Sequence, residues 1–183
     1  MEEVKDAKKE LMEKLQAPFG ENELEFRVGS TNRDKTMGMA LPYISARAIQ
    51  NRLDEVFGIE GWQVEYQEVN NGYLCKISVC IDGKWISKQD GCQFTQFEPL
   101  KGALSGAFKR AAAAGLGIGR YLYDIEPQWC PIRPAGKSFA FVNKPSLNPQ
   151  QNQYQQDQYQ QQGGYQQDYQ QGYQQQQQGY NQY

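Results

Sequence analysis

The chain has 183 residues, with 19 lysines and arginines, 21 aspartates and glutamates and no histidine, and its formal charge is -2. All the basic residues precede position 150 and only Asp157 and Asp168 are acidic beyond it, so the body carries no net charge. This balance excludes a protein that coats nucleic acid by bulk charge, and any such contact requires local clustering of cations. The absence of histidine excludes Ser-His and Cys-His nucleophile pairs.

The four cysteines are scattered along the chain. Cys75, Cys80, Cys92 and Cys130 show no CxxC spacing, and three of them fall in segments with a strand pattern or at its flank, where free cysteine behaves as a small buried hydrophobe. A zinc site would need all four thiolates from separate positions, so we expect no metal site. No apolar run resembles a signal peptide or is long enough to span a membrane. We therefore expect a cytoplasmic protein with reduced thiols.

The first part of the chain predicts a helix followed by an extended stretch. Residues 2–16 predict a charged helix with a narrow apolar stripe. Residues 17–44 are irregular or extended, with one short alternating strand at 24–28 and a polar loop that carries Arg33 and Lys35. A solvated loop and a loop that contacts phosphate both fit these residues.

A second helix is predicted over residues 46–57. Ser45 is a favourable N-cap and Gly58 a favourable residue just beyond the end. Apolar residues recur at helical spacing, while Arg47 and Arg52 project away from that face beside acidic neighbours. A balanced, solvated polar face explains these charges without a ligand.

The clearest pattern lies in residues 61–90, where polar and apolar residues alternate in three runs. The Asn-Gly pair at 71–72 and the Asp-Gly pair at 82–83 are both typical of hairpin turns, and the third run is 84–88. This predicts a three-stranded antiparallel meander, which needs a helix on its apolar face to be stable.

Residues 99–123 supply that helix. Pro99 suits a first helical position, since its missing N–H would be unpaired there anyway. Lys109 and Arg110 lie side by side on the hemisphere opposite the apolar stripe, and glycines at 115–119 loosen the end. The predicted stripe consists of Leu100, Leu104, Ala107, Phe108 and Ala111. The sequence thus predicts an α+β fold with a β-β-β-α core over 61–123, in which the Lys-Arg pair is either functional or merely solvated.

The C-terminal part changes in composition. Residues 127–149 contain several prolines and predict a connector that wraps the body. From Gln150 onwards, 19 of the 34 residues are Gln and 7 are Tyr, with no aliphatic residue to build a core, so we expect a disordered tail over 150–183. Such tracts favour self-association or docking on a partner, and a purely solubilising tail is the alternative.

The sequence lacks the signature of a nucleotide-binding loop and offers only a weak set of carboxylates for a nuclease. No GxxxxGK[ST] loop is present, and the glycines at 115–119 follow a helix rather than a strand, which excludes a dinucleotide turn. A metal-dependent nuclease would need clustered carboxylates near a lysine, and Asp82, Asp90, Glu98 and Lys101 are the candidates. Because the hairpin turn explains Asp82 and the helix start explains Glu98, we expect no catalytic residues.

Three stretches then resemble, in their order and spacing, the Rad52/Rad22 family of single-strand annealing proteins, and most closely its compact bacterial and phage members. Residues 17–19 (APF) and 26–31 (FRVGST) are similar to the start of those members. The three stretches are PYISARAIQNRLDEVFGIEGW at 42–62, GKWISKQDG at 83–91 and LSGAFKRAAAAGLGIGRYLYD at 104–124. The resemblance covers residues 17–125. We accordingly place an N-terminal helix at 1–16 and an annealing domain at 17–126.

The resemblance implies a ring of identical subunits that binds single-stranded DNA in an outer basic groove. Complementary strands would anneal there without ATP or another cofactor, in recombination or repair inside a bacterial or phage-infected cell. It places Lys109 and Arg110 on the DNA backbone and assigns a similar role to Arg47, or to the position of Ala48. The candidate DNA-binding cations are Lys109, Arg110, Arg47, Arg52, Arg120, Arg33 and Lys35.

Arg120 enters this set because eukaryotic members carry a further cation where this chain has Ala113. The proposed partners are single-stranded DNA, other copies of the chain and, through the tail, a host single-strand-binding protein or an exonuclease. Two other functions stay open: a single-strand DNA- or RNA-binding module that does not anneal, and the metal-dependent nuclease.

Overall fold

The computed structural model describes residues 2–96, 98–148, 150, 152–153, 157 and 161, with the side chains from position 6 onwards. The fold is α+β, with antiparallel strands and three α-helices in the described part of the chain. The helices are α1 (Glu2–Gln16), α2 (Ala46–Phe57) and α3 (Pro99–Ala111). The strands are β1 (Leu24–Thr31), β2 (Met37–Ile44), β3 (Trp62–Val69), β4 (Gly72–Ile81), β5 (Lys84–Gln93), β6 (Gln128–Ala135) and β7 (Ser138–Phe141).

The chain divides into two compact units. The meander unit comprises Met1–Glu23 and Ile44–Asp124, and the second unit comprises Leu24–Tyr43 and Ile125–Tyr183. The meander unit holds the sheet β3-β4-β5 and all three helices. The second unit holds the sheet β1-β2-β6-β7.

The second unit contains more strands than the sequence indicates. β2 and β6 pair antiparallel, with Gly38 opposite Cys130, and β6 then pairs with β7. The expectation of a connector over 127–149 missed both β6 and β7, because prolines within β6 resemble breaks in a strand. Their ring atoms instead help to fill the core, since Pro131 and Pro134 are buried.

One residue of the predicted tail, Asn152, packs against an earlier part of the chain. Asn152 is 2% exposed, and its side chain accepts a hydrogen bond from Ser146 N and donates to Gln128 Oε1 and Ser146 O. Asn152 is therefore buried although it falls within the predicted tail. Most of the predicted tail lies outside the described residues.

The three-stranded meander is confirmed. Ile77 lies opposite Val64 on β3 and opposite Lys88 on β5. At the Asp82-Gly83 turn both residues have a positive φ, of 51° and 72°, as a two-residue turn of this kind requires.

The other hairpin corrects the prediction by one residue. The turn residues are 70–71, and Gly72 is already paired with Val69 as the first residue of β4. A Cβ atom at Gly72 would lie 2.1 Å from the carbonyl oxygen of Cys92. Glycine is therefore needed there for close approach of β5 rather than for a turn.

Helix α2 begins and ends as the sequence predicts. Ser45 Oγ accepts a hydrogen bond from Ala48 N at 3.1 Å, and Gly58 follows the last turn with a φ of 70°. Trp62 Nε1 donates to Asp54 Oδ1 at 2.7 Å and so ties the start of β3 to α2.

Helix α3 packs on β4 and β5 through a row of small residues. Ala103, Ala107 and Ala111 are at most 1% exposed, and Phe108 is buried beside Trp62, with ring centroids 6.4 Å apart. Leu100, which the predicted stripe included, is 54% exposed, because the first turn of α3 extends beyond the sheet. The helix continues as a π-helical turn over Ala112–Leu116 and ends at Gly117, with a φ of 80°.

Candidate nucleic-acid interface

One face of α3 runs alongside β5 through small residues spaced four apart. A Cβ atom at Gly106 would lie 2.6 Å from Cys92 Sγ, and one at Gly102 would lie 2.1 Å from Thr95 Oγ1, just beyond β5. Arg110 is the next residue in this row, since residues four apart lie one above the other on a helix. The small residues of this row allow α3 to approach β5 closely, and they place Arg110 beside the edge of that strand.

This placement corrects the prediction for Arg110. Its guanidinium is not on the hemisphere opposite the sheet but faces Asp90 of β5, with Nε and Nη2 both 3.3 Å from Asp90 Oδ1. The same carboxylate oxygen accepts a hydrogen bond from Gly91 N at 2.7 Å. The Arg110 side chain is 57% exposed and that of Asp90 is 24% exposed, so the cation is the outer member of the pair.

Lys88 lies two residues before Asp90, on the same face of β5. A Cβ atom at Gly115 would lie 2.3 Å from Lys88 Cβ and 2.7 Å from Lys88 Cγ, so the lysine stem rests on the π-helical turn. Lys88 was not among the residues predicted from the sequence. The alternation of β5 was the available signal, because it places residues 86, 88 and 90 on the side that faces α3.

Lys109 precedes Arg110 and is partly buried. About 100° separates neighbouring side chains on a helix, so Lys109 points away from β5 while Arg110 points along it. The two cations thus lie on adjacent flanks of the last turn of α3. We define the α3–β5 cluster as Lys88, Asp90, Lys109 and Arg110.

Two groups that can titrate, Cys75 and Tyr66, lie in the sheet next to the cluster. Cys75, which is paired with Asp90, is fully buried, and burial raises the pKa of its thiol to about 11. Burial and the neighbouring Cys75 raise the pKa of Tyr66 to about 12. Both groups stay neutral at physiological pH, so they set no charge beneath the cations.

Arg52 does not project away from the body, which corrects the sequence prediction. Its side chain is 11% exposed, and Nη1 donates to the carbonyl oxygens of Ala17 at 2.8 Å and Lys14 at 3.0 Å, with Leu15 at 3.4 Å. The guanidinium carbon lies 4.3 Å from the ring centroid of Phe19. Arg52 therefore caps the C-terminal end of α1.

Arg120 is arranged in the same way. Its Nε donates to Ala113 O at 2.9 Å and its Nη2 donates to Ala114 O at 2.8 Å. These carbonyls belong to the π-helical turn, whose last carbonyl groups need partners from outside the helix. Arg120 was considered as a substitute for the cation that eukaryotic members carry where this chain has Ala113. Its side chain is instead hydrogen-bonded to the backbone of the segment that contains Ala113.

The remaining candidates are exposed. Arg47 lies in the first turn of α2 and is exposed, whereas Ala48 is 7% exposed, so of these two positions Arg47 faces solvent. Arg33 and Lys35 are exposed in the β1–β2 turn of the second unit. Asn32 organises that turn, because its Oδ1 accepts hydrogen bonds from Thr36 N and Met37 N, both at 2.9 Å.

The acidic residues considered for a nuclease have individual partners. Lys101 Nζ lies 2.9 Å from Glu98 Oε2, Asp82 pairs with Lys8 at 3.9 Å, and Asp90 pairs with Arg110. Within the described residues, no three His, Cys, Asp or Glu side chains form a group that could hold a metal ion. No helix among these residues combines the length and apolarity needed to cross a membrane. All four cysteines are free thiols.

The family assignment follows from comparison with known proteins. Residues 7–133 match the family model described as Rad52/22 family double-strand break repair protein. The chain belongs to the Rad52/Rad22 family. The expectation drawn from the three sequence stretches is thereby confirmed.

Two curated relatives are both described as single-stranded DNA-binding protein DdrA. The one from Deinococcus deserti is 33% identical over 122 residues, which are 66% of this chain and 60% of the relative. The one from Deinococcus radiodurans is 30% identical over 122 residues, or 66% and 58% of the two chains. The match therefore spans about three fifths of the length of these relatives.

Proposed function

We propose that this Rad52/Rad22 protein binds single-stranded DNA and anneals complementary strands without ATP, in recombination or repair in the cytoplasm of a bacterial or phage-infected cell. The α3–β5 cluster carries the proposal, because it places Lys88 and Arg110 at one edge of the sheet and Lys109 on the adjacent flank of α3. Arg110 is more than half exposed and offers a planar guanidinium, which suits phosphate. The family assignment and the description of the two relatives as single-stranded DNA-binding proteins support the same conclusion.

Contacts of this kind suit annealing. The cluster offers charged donors, and no aromatic side chain belongs to it. Contacts to phosphate hold a strand without reading its sequence. The bases then stay available to pair with a second strand.

The neutral charge of the body supports a multi-subunit assembly. A single cluster holds three cations and one carboxylate, which is too little for tight binding to a polyanion at physiological salt. A ring that repeats the cluster from subunit to subunit would align these cations into a continuous track. We propose that Arg47 adds to this track, while Arg33 and Lys35 are further candidates on the second unit. We do not include Arg52 and Arg120 in this track, because their guanidinium groups already donate to backbone carbonyls.

The test compares the removal of cations from the α3–β5 cluster with the removal of a cation elsewhere on the surface. We expect Lys109→Ala combined with Arg110→Ala to weaken binding of a fluorescent oligo-dT by more than tenfold, since two phosphate contacts are lost from every subunit. Arg133→Ala, at an exposed position of β6 in the second unit, is the control for loss of surface charge. Binding by the double variant at parental affinity would refute the assignment of the cluster.

Annealing is distinguished from passive coating by mixing complementary oligonucleotides with and without protein. An annealing protein accelerates duplex formation, whereas a single-strand coat retards it. Light scattering, with and without DNA, measures the mass of the assembly. A monomer under both conditions would refute the shared track.

A further inference from the structure

We propose that Asp90 is an internal competitor for phosphate: it holds Arg110 in the DNA-free protein and lowers the affinity of the cluster for single-stranded DNA. This inference rests on the proposed function and concerns its regulation. The sequence offered Asp90 only as a metal ligand, and among the described residues it belongs to no group that could hold a metal ion. Its position beside a cation that faces solvent calls for a different role.

The geometry of the pair is that of an exchangeable contact. Nε and Nη2 of Arg110 share one oxygen of Asp90 at 3.3 Å each, which is longer than the 2.7–2.9 Å of strong charge-assisted hydrogen bonds. That oxygen also accepts the shorter bond from Gly91 N. An exposed ion pair of this kind contributes little stability, so releasing it costs little.

Phosphate can reach the same guanidinium from outside. The guanidinium group has five N–H donors, and two of them face Asp90. Because Asp90 is the more buried partner, it lies beneath Arg110 and leaves the outer side open. A phosphate arriving there gains the remaining donors and can draw the side chain away from β5.

The carboxylate nevertheless opposes binding. A phosphate held by Arg110 would lie several ångströms from the negative charge of Asp90. Repulsion between two unit charges at about 7 Å, in surroundings close to bulk water in polarity, reduces affinity by about three- to fivefold. Asp90 therefore keeps Arg110 oriented while preventing tight retention of a strand.

The experiment uses Asp90→Asn, which removes the charge and keeps an oxygen that can accept the bond from Gly91 N. We expect it to bind fluorescent oligo-dT about three- to fivefold more tightly than the parent, in the full-length protein at low salt. Glu60→Gln, at an exposed position before β3, is the charge-matched control with unchanged affinity. Thermal melting checks that Asp90→Asn is folded.

A double-variant cycle tests whether Asp90 acts through Arg110. The gain from Asp90→Asn should fall below twofold in the Arg110→Ala background, because the cation that Asp90 competes for is absent. A gain that persists there would mean that Asp90 acts as general surface charge, and would overturn the proposal.

Failure of this inference is separable from failure of the proposed function. If the parent binds and Arg110→Ala weakens binding, but Asp90→Asn is no tighter than the parent, the competitor role is wrong and the DNA-binding role stands. If the parent binds no oligonucleotide, both are wrong.

Discussion

Arg47 and Arg52 lie on the same helix, five residues apart, in very different surroundings. Arg52 is 11% exposed and donates from Nη1 to the carbonyl groups that end α1. Arg47 is exposed. Substituting each by alanine therefore separates a structural arginine from one that we propose for DNA.

The cost of Arg52→Ala is worked out from its contacts. One nitrogen carries two hydrogens, so two of the three nearby carbonyls are bonded at a time; each bond to a charged group contributes about 1.5 kcal/mol. The cation above Phe19 adds about 0.5 kcal/mol. Water can solvate the freed carbonyls in part, so we expect a total loss of about 3 kcal/mol, or about 6–12 °C in melting temperature.

The assay is thermal and urea unfolding of the parent and the two variants, followed by oligo-dT binding at a temperature at which all three are folded. Arg47→Ala, at an exposed site, should change the free energy of unfolding by less than about 0.5 kcal/mol and should weaken binding. Arg52→Ala should bind with parental affinity. A melting temperature for Arg52→Ala within about 2 °C of the parent would refute the capping role.

Two further predictions concern residues that pack next to the α3–β5 cluster. Gly115→Ala should destabilise the protein by about 1–3 kcal/mol in urea unfolding, because the new Cβ overlaps the Lys88 stem; Ala114→Ser, at the exposed neighbour, should be near neutral, and equal effects would contradict the close contact. Burial raises the pKa of Cys75 from 9.0 to about 11, so its neutral thiol contributes stability that is complete below pH 9 and is lost as the pH rises towards 11. Cys75→Ala should show a smaller loss of urea midpoint between pH 8.5 and 11 than the parent, and an identical loss would contradict this assignment.

Local sequence signals were sufficient where backbone geometry and side chain agree. Ser45 and Gly58 set the ends of α2, and the Asp82-Gly83 turn has the two positive φ angles that these residues tolerate. The same reasoning failed at Gly72. A glycine required by a neighbouring strand and a glycine required by a turn look identical in sequence, because the contact with Cys92 is made by a residue twenty positions away.

The roles of the arginines were not predictable, because helical periodicity locates a side chain around its own axis but not its partner. Arg110 fell outside the apolar stripe and was therefore expected to face away from the sheet. Gly102 and Gly106 carried the missing information, since two small residues in the row of Arg110 indicate close approach of another element. Small residues at helical spacing therefore indicate a packed face of a helix as well as apolar residues do.

The acceptors of three arginines differ in how readily each guanidinium could be released to a phosphate. Arg52 and Arg120 donate to backbone carbonyls at helix ends, which carry partial negative charge and are fixed by the fold. A phosphate that drew these arginines away would leave the helix-end carbonyls only partly solvated, at a cost like the one worked out above for Arg52. Arg110 faces a carboxylate at the surface, which water can solvate once the arginine leaves. Of these three arginines, Arg110 is therefore the one that we propose for DNA, because its acceptor can be solvated when the side chain moves away, whereas Arg47 is proposed because it is exposed.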